Sequence, residues 1–245
     1  MFRWVQLIVL TSLGVASLYT SLPHLVDALA KYGGDPFVLL NFIQGFLSAL
    51  FLSRPQICMT ADFFGAFFAC LIFAMSEVDR QKSLLAWSAL VISPLGLFTT
   101  LFFITEGVRI WRSKDGSSQA RSPDMLRFIL LLYIFVAVTS LIVDEIFLFG
   151  HFGLGAWLAP FNPYDANVAS FTTLFMREPS TAALGAQLGP LTLATVWALI
   201  VYAIETRRWV TPLLMAVVIM PLGVSFVLPA FLACREARPA RLLAQ

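Results

Sequence analysis

"VISPLGLFTTLFFITEGVR" (residues 91–109) and "VIMPLGVSFVLPAFLACRE" (residues 218–236) are two versions of one pattern. Each places Pro-Leu-Gly early in an apolar run and closes that run with Glu and Arg. Apolar runs of about 18 or more residues mark helices that cross a bilayer, because about 20 residues are needed to span the hydrocarbon layer. Proline removes a backbone hydrogen bond, so Pro94-Leu95-Gly96 and Pro221-Leu222-Gly223 are expected to kink the last span of each half.

The rest of the chain is equally apolar. It is 59% hydrophobic and 12% charged, against roughly 25% charged in an ordinary soluble domain, and its mean hydropathy is +0.85. Uncharged windows cover 4–26, 83–105, 179–204 and 209–234; a window at 55–76 is broken only by Asp62, and one at 128–150 only by Asp144 and Glu145. Six spans follow. Residues 36–53 are uncharged and just long enough to make another. Residues 158–176 carry Asn162, Pro163, Tyr164, Asp165 and Asn167, which suits a surface or re-entrant element better than a lipid-facing helix. The expected fold class is an all-α polytopic membrane bundle of six to eight spans, integral to a lipid bilayer. Arg3 precedes an apolar run as in a secretory signal, but the run's length and its counterpart later in the chain point to a retained span.

Similarity between the halves extends beyond the two quoted runs. "MFR" at 1–3 corresponds to "MLR" at 125–127, "VD" at 26–27 to "VD" at 143–144, Asn41 to Asn167, and Pro55 to Pro179. "AMSEVDR" at 74–80 corresponds to "YAIETRR" at 202–208, with every offset between 117 and 128. Two tandem repeats are therefore expected, at 1–110 and 125–245, joined by the polar linker 111–124.

The run "IETRRWVTPLLMAVVIMPLGVSFVLPAFLACRE" resembles the C-terminal half of a small bacterial membrane family, known as a domain without an assigned activity, whose single unit ends in a similar pattern. "TADFFGAFFACLIFAMSE" resembles the same family in its Ala-Asp opening, with Glu77 fifteen positions after Asp62. The second half departs from it, because the position fifteen before Glu205 is Pro190. In size, span number and acidic residues within an aromatic-rich bundle, the chain also resembles fungal integral-membrane terpene cyclases of the ascochlorin and macrophorin type. That second resemblance implies a hydrophobic isoprenoid-type substrate, and the endoplasmic reticulum as the membrane of a fungal chain.

Positive residues prefer cytoplasmic loops. With six straight spans, seven of the Lys and Arg residues fall on one side and nine on the other. With eight, Lys31, Arg80, Lys82, Arg207 and Arg208 oppose the remaining eleven, which lie with both chain ends. The charge rule prefers eight spans, and the polarity of 158–176 opposes them.

Asp62 is the leading catalytic candidate. A charge within a span costs about 2.5–3.5 kcal/mol on insertion scales, so it normally faces the bundle interior. It can act there as a proton donor or accept an interhelical hydrogen bond. Asp144 and Glu145 are further acid candidates, or interfacial residues if their span ends near 143. His24 and Asp27 share a helical face and form a candidate proton relay, or anchor the end of a span. Asn41 and Asn167 are candidates for substrate contact. Glu77 and Glu205 fit solvated helix ends.

No cofactor or metal is expected. His24 and His151 are the only histidines, and the three cysteines, Cys58, Cys70 and Cys234, form no metal-ligand spacing. A net charge of +2 gives no reason to expect nucleic acid. Two functional expectations remain. One is protonation-initiated cyclisation of a polyprenyl substrate by Asp62, with aromatic faces stabilising the cation. The other is a non-enzymatic small-molecule or proton-coupled carrier, or an assembly protein, built on two related halves.

Overall fold

A computed structural model describes residues 2–32, 54–81, 98–112, 122–152 and 176–243, with Gln44, Leu47, Ser48 and Thr173 besides. Among these residues the elements are helices: α1 (Phe2–Tyr32), α2 (Arg54–Gln81), α3 (Phe98–Arg112), α4 (Pro123–Phe152), α5 (Pro179–Thr206) and α6 (Val210–Leu243). All but α3 are long and apolar enough to cross a membrane. Ile8, Val15 and Tyr19 of α1 and Phe128, Leu131 and Phe135 of α4 are exposed, an apolar surface made to meet lipid rather than water. The chain is a multi-pass membrane protein.

Helix α2 touches α3, α4, α5 and α6. It buries Phe63, Ala66, Ala69, Cys70, Phe73 and Ala74 among them. Helix α1 packs on α5 and α3, and α4 packs on α2 and α6. Small residues let α1 approach closely, since Ser17, Ser21 and Ala28 are buried on one stripe. Thr20 donates a hydrogen bond to the Ala186 carbonyl at 3.2 Å, and Lys31 pairs with Glu178.

These contacts fix the helix directions. Residues 20 and 31 of α1 meet residues 186 and 178 of α5, so the two run antiparallel. Gly14 faces Phe103, and Gly107 faces Leu7, so α1 is also antiparallel to α3. Phe73 of α2 stacks near Phe102 at 5.9 Å, and Glu77 lies within electrostatic reach of Arg109, so α2 and α3 run parallel. The C-terminal ends of α2, α3 and α5 therefore share one end of the bundle with the start of α1.

Helix α6 is broken. Arg207 adopts a left-handed conformation (φ 54°) that ends α5, and α6 begins at Val210 after a short turn. A straight helix from Val210 would carry Phe231 about 31 Å away. Instead the Phe231 ring lies 5.7 Å from that of Tyr202, near the end of α5. The reversal occurs at Gly223, whose φ of 74° and ψ of 162° lie outside the helical region. The first arm, from Val210 to Leu222, exposes Leu213, Leu214, Val217 and Met220; the second buries Val224, Val227, Leu228, Phe231 and Leu232.

The kink expected at Pro221-Leu222-Gly223 is thus a reversal of the chain. Its counterpart Pro94-Leu95-Gly96 lies outside the described residues. The structure brings together arginines that the straight-span distributions separate. Six crossings put Arg109 and Arg235 on opposite sides, yet both bind Glu106. Eight crossings separate Arg80 from Arg109, yet the helix end carrying Arg80 meets that of Arg109. Both distributions assume that every apolar window, 83–105 and 209–234 included, runs straight.

A Cβ on residue 223 would sit 2.5 Å from the Asp62 Oδ1, on a backbone conformation that L-residues rarely adopt. Gly223→Ala is expected to cost about 1–3 kcal/mol from backbone strain alone. The thermal unfolding midpoint in detergent, compared with that of the neighbouring Val217→Ala, measures it.

Candidate functional site

The reversal at Gly223 starts a new helix inside the bundle, and a new helix start leaves backbone N–H groups without partners. The residue in the capping position is glycine and has no side chain to offer. Asp62 of α2 supplies the missing acceptor: its Oδ1 takes a hydrogen bond from the Ser225 backbone N–H at 2.9 Å. Ser225 is the second residue of the second arm, where a capping oxygen normally bonds. The Ser225 side chain also bonds the carboxylate. Asp62 is half-buried.

One helical turn along α2, Gly65 makes this approach possible. A Cβ there would fall 2.0 Å from the Ser140 Oγ of α4 and 2.7 Å from the Ser225 Cβ of α6. Three helices therefore meet at Gly65, Ser140 and Ser225, beside the Asp62 cap.

The second arm delivers Arg235 to a second cluster at the shared end of the bundle. Arg109 Nε and Nη2 donate to the two Glu106 carboxylate oxygens at 2.8 and 2.6 Å. Arg235 Nη1 donates to the same oxygens at 3.2 and 3.0 Å. The Arg235 guanidinium also lies 4.7 Å from the centre of the Phe73 ring and 5.5 Å from that of Phe231, a cation–π arrangement. Glu106 stands just past the apolar window 83–105, on α3, the one helix among the described residues too short to cross. Burial alone would raise its pKa, but Arg109 and then Arg235 outweigh this and hold it down at about 2. Burial would lower the Arg109 pKa, and Glu106, then Glu77 and Glu205, push it up instead.

With this geometry in view, comparison gives no relative: no protein-family model, curated protein or solved structure matches the chain.

The candidates read from sequence are dispersed. Asp62 is at the helix break. Asp144 and Glu145 lie in α4 just beyond its apolar stretch Pro123–Val143. His24 and Asp27 lie on α1, where Asp27 is exposed, and no hydrogen bond or ion pair joins them among the described residues. Asn41 and Asn167 lie outside the described residues. Glu77, expected at a solvated turn, is 1% exposed. The pairing of Glu106 with Arg109 and Arg235 went unanticipated. Its visible signal was the Glu and Arg that close both copies of the opening pattern.

Replacing Glu106 by Gln removes the carboxylate that both guanidinium groups bind, which is expected to cost about 3–5 kcal/mol. Arg235→Met leaves Glu106 paired with Arg109 and loses mainly the ring contacts, about 1–2 kcal/mol. Denaturation in mixed micelles measures both, and the reverse order would break the account of the cluster.

The sign of the acid response comes from the lowered pKa. A carboxylate held at about 2 rather than the usual 4.5 contributes stability that is fully present above 4.5 and lost as pH falls through about 2. The stability gap between wild type and Glu106→Gln is therefore expected to stay constant from pH 7 to 5 and to narrow only in stronger acid.

Proposed function

We propose that the chain is a proton-coupled membrane carrier for a small molecule, built from two tandem repeats, with the second arm of α6 as its moving part. The observation that carries this reading is the Asp62 carboxylate on the Ser225 N–H, at a helix that starts inside the bundle. Broken helices beside the interface of two repeats are the usual setting of carrier sites, because their free backbone groups face the interior. The packing supports the repeat. The first span of each half lies on the second span of the other, α1 on α5 and α4 on α2, and the first also meets the third of its own half, α1 on α3 and α4 on α6.

The coupling is simple in its chemistry. An ionised Asp62 accepts a charge-assisted hydrogen bond, roughly twice as strong as a neutral one. A proton taken up from one face removes that charge, weakens the hold on Ser225 and loosens the arm. Release of the proton to the other face restores it. Solute bound between the halves shifts the balance by the difference in its affinity for the two states.

Cyclisation of an isoprenoid needs Asp62 to present its proton to a substrate. Its carboxylate serves a helix start as an acceptor, and this favours the carrier. The test is solute-driven proton flux in proteoliposomes holding a pH-sensitive dye, across a panel of organic acids, organic bases and isoprenoid alcohols. Asp62→Asn keeps a capping oxygen but not the charge. The variant is expected to fold with a slightly lower unfolding midpoint, because its neutral amide holds Ser225 as the protonated acid does, while its flux falls to background. Equal flux in the variant removes the coupling role. New cyclic products from labelled polyprenyl precursors in expressing cells, lost with Asp62→Asn, establish the enzyme in its place.

A further inference from the structure

We infer that the end of the bundle carrying the Glu106 cluster faces the cytoplasm, and that α6 enters the membrane from that face and returns to it without crossing. Two independent observations lead here, and neither depends on the carrier reading.

The first is length. The arm from Val210 to Leu222 and the return from Val224 to Glu236 each rise about 18 Å, against roughly 30 Å of hydrocarbon. Neither arm crosses alone, and the contact between Phe231 and Tyr202 shows that they do not add. The break therefore sits within the hydrocarbon layer. Irregular backbone survives there only when protein covers it and its polar groups are met. Asp62 meets the Ser225 N–H, and Val227, Leu228, Phe231 and Leu232 of the second arm beyond it are buried.

The second is charge. The helix directions place Arg3, Arg80, Arg109, Arg112, Arg207, Arg208, Arg235, Arg238 and Arg241 at one end of the bundle. At the other end the same helices carry Lys31, Arg54 and Arg177. Lys and Arg near the ends of spans set orientation, and an imbalance of this size assigns the cytoplasm to the first end. Straight spans separate Arg80 from Arg109, or Arg109 from Arg235, whereas the helix directions put all three at one end.

Single-cysteine labelling tests both parts. In a Cys234→Ser background, Arg208→Cys and Arg177→Cys are exposed to an impermeant maleimide in intact and in inverted membrane vesicles. An epitope tag placed after Gln245 is probed in the same preparations. The expected result is that Arg208→Cys and the tag both react only in inverted vesicles, and Arg177→Cys only in intact ones. The tag and Arg208→Cys reacting from opposite faces would show that α6 crosses. Both reacting from the outer face would reverse the orientation while leaving the return of α6 intact.

Discussion

A helix that begins inside a bilayer must find partners for its first N–H groups, because no water is there to supply them. In this protein that obligation falls on one carboxylate, and much of the architecture can be traced from it. Gly223 permits the reversal and, being glycine, cannot cap the arm that starts there. Asp62 caps it from another helix, which requires α2 to lie against the start of the second arm. Gly65 lets that happen, since any side chain there would overlap Ser140 and Ser225. Once the arm is held at Ser225 it runs parallel to α2, and its length brings Arg235 over Phe73 and onto Glu106. Mid-depth cap and ionic cluster are therefore two ends of one rigid contact between α2 and α6.

The cluster also closes the interior at that end. Glu77, Glu106 and Glu236 are all buried there, an arrangement that would be prohibitive without counter-charge. Arg109 and Arg235 supply it in the planar, two-pronged form that suits a carboxylate. Each guanidinium comes from a different half of the chain. Loosening the second arm would withdraw one of the two while leaving Glu106 paired with Arg109. The charge network can thus accommodate movement of α6 without stranding a buried acid, which a single arginine on α6 could not do.

How much of this was legible in the sequence depended on the type of signal. Hydropathy marked the membrane helices, and Asp62 stood out because a charge in an apolar window is costly. Pro221-Leu222-Gly223 announced a distortion but not its size, since the same three residues serve a shallow kink or a full reversal. The contact of Phe231 with Tyr202 separates these, and it is a fact of tertiary packing. Burial of Glu77 was hidden for a related reason. A Glu beside Arg80 at a helix end has the composition of a solvated turn, and only the arrival of α3 covers it. Charge counts were limited for a different cause: they depend on which windows run straight, and a turn in any one of them changes the side of every later residue.

The chemistry of the cap itself bears on its purpose. Asn and Ser cap helix starts about as well as Asp, and neither brings a full charge into the membrane. An aspartate in their place costs about 2.5–3.5 kcal/mol on insertion, and its half-buried position does not remove that cost. A neutral oxygen would satisfy the same N–H, though with a weaker bond than the ionised carboxylate makes. Aspartate alone adds a state that changes with a proton. Its placement on the one backbone break found among the described helices puts it where a change of charge would alter the hold on a whole helical arm.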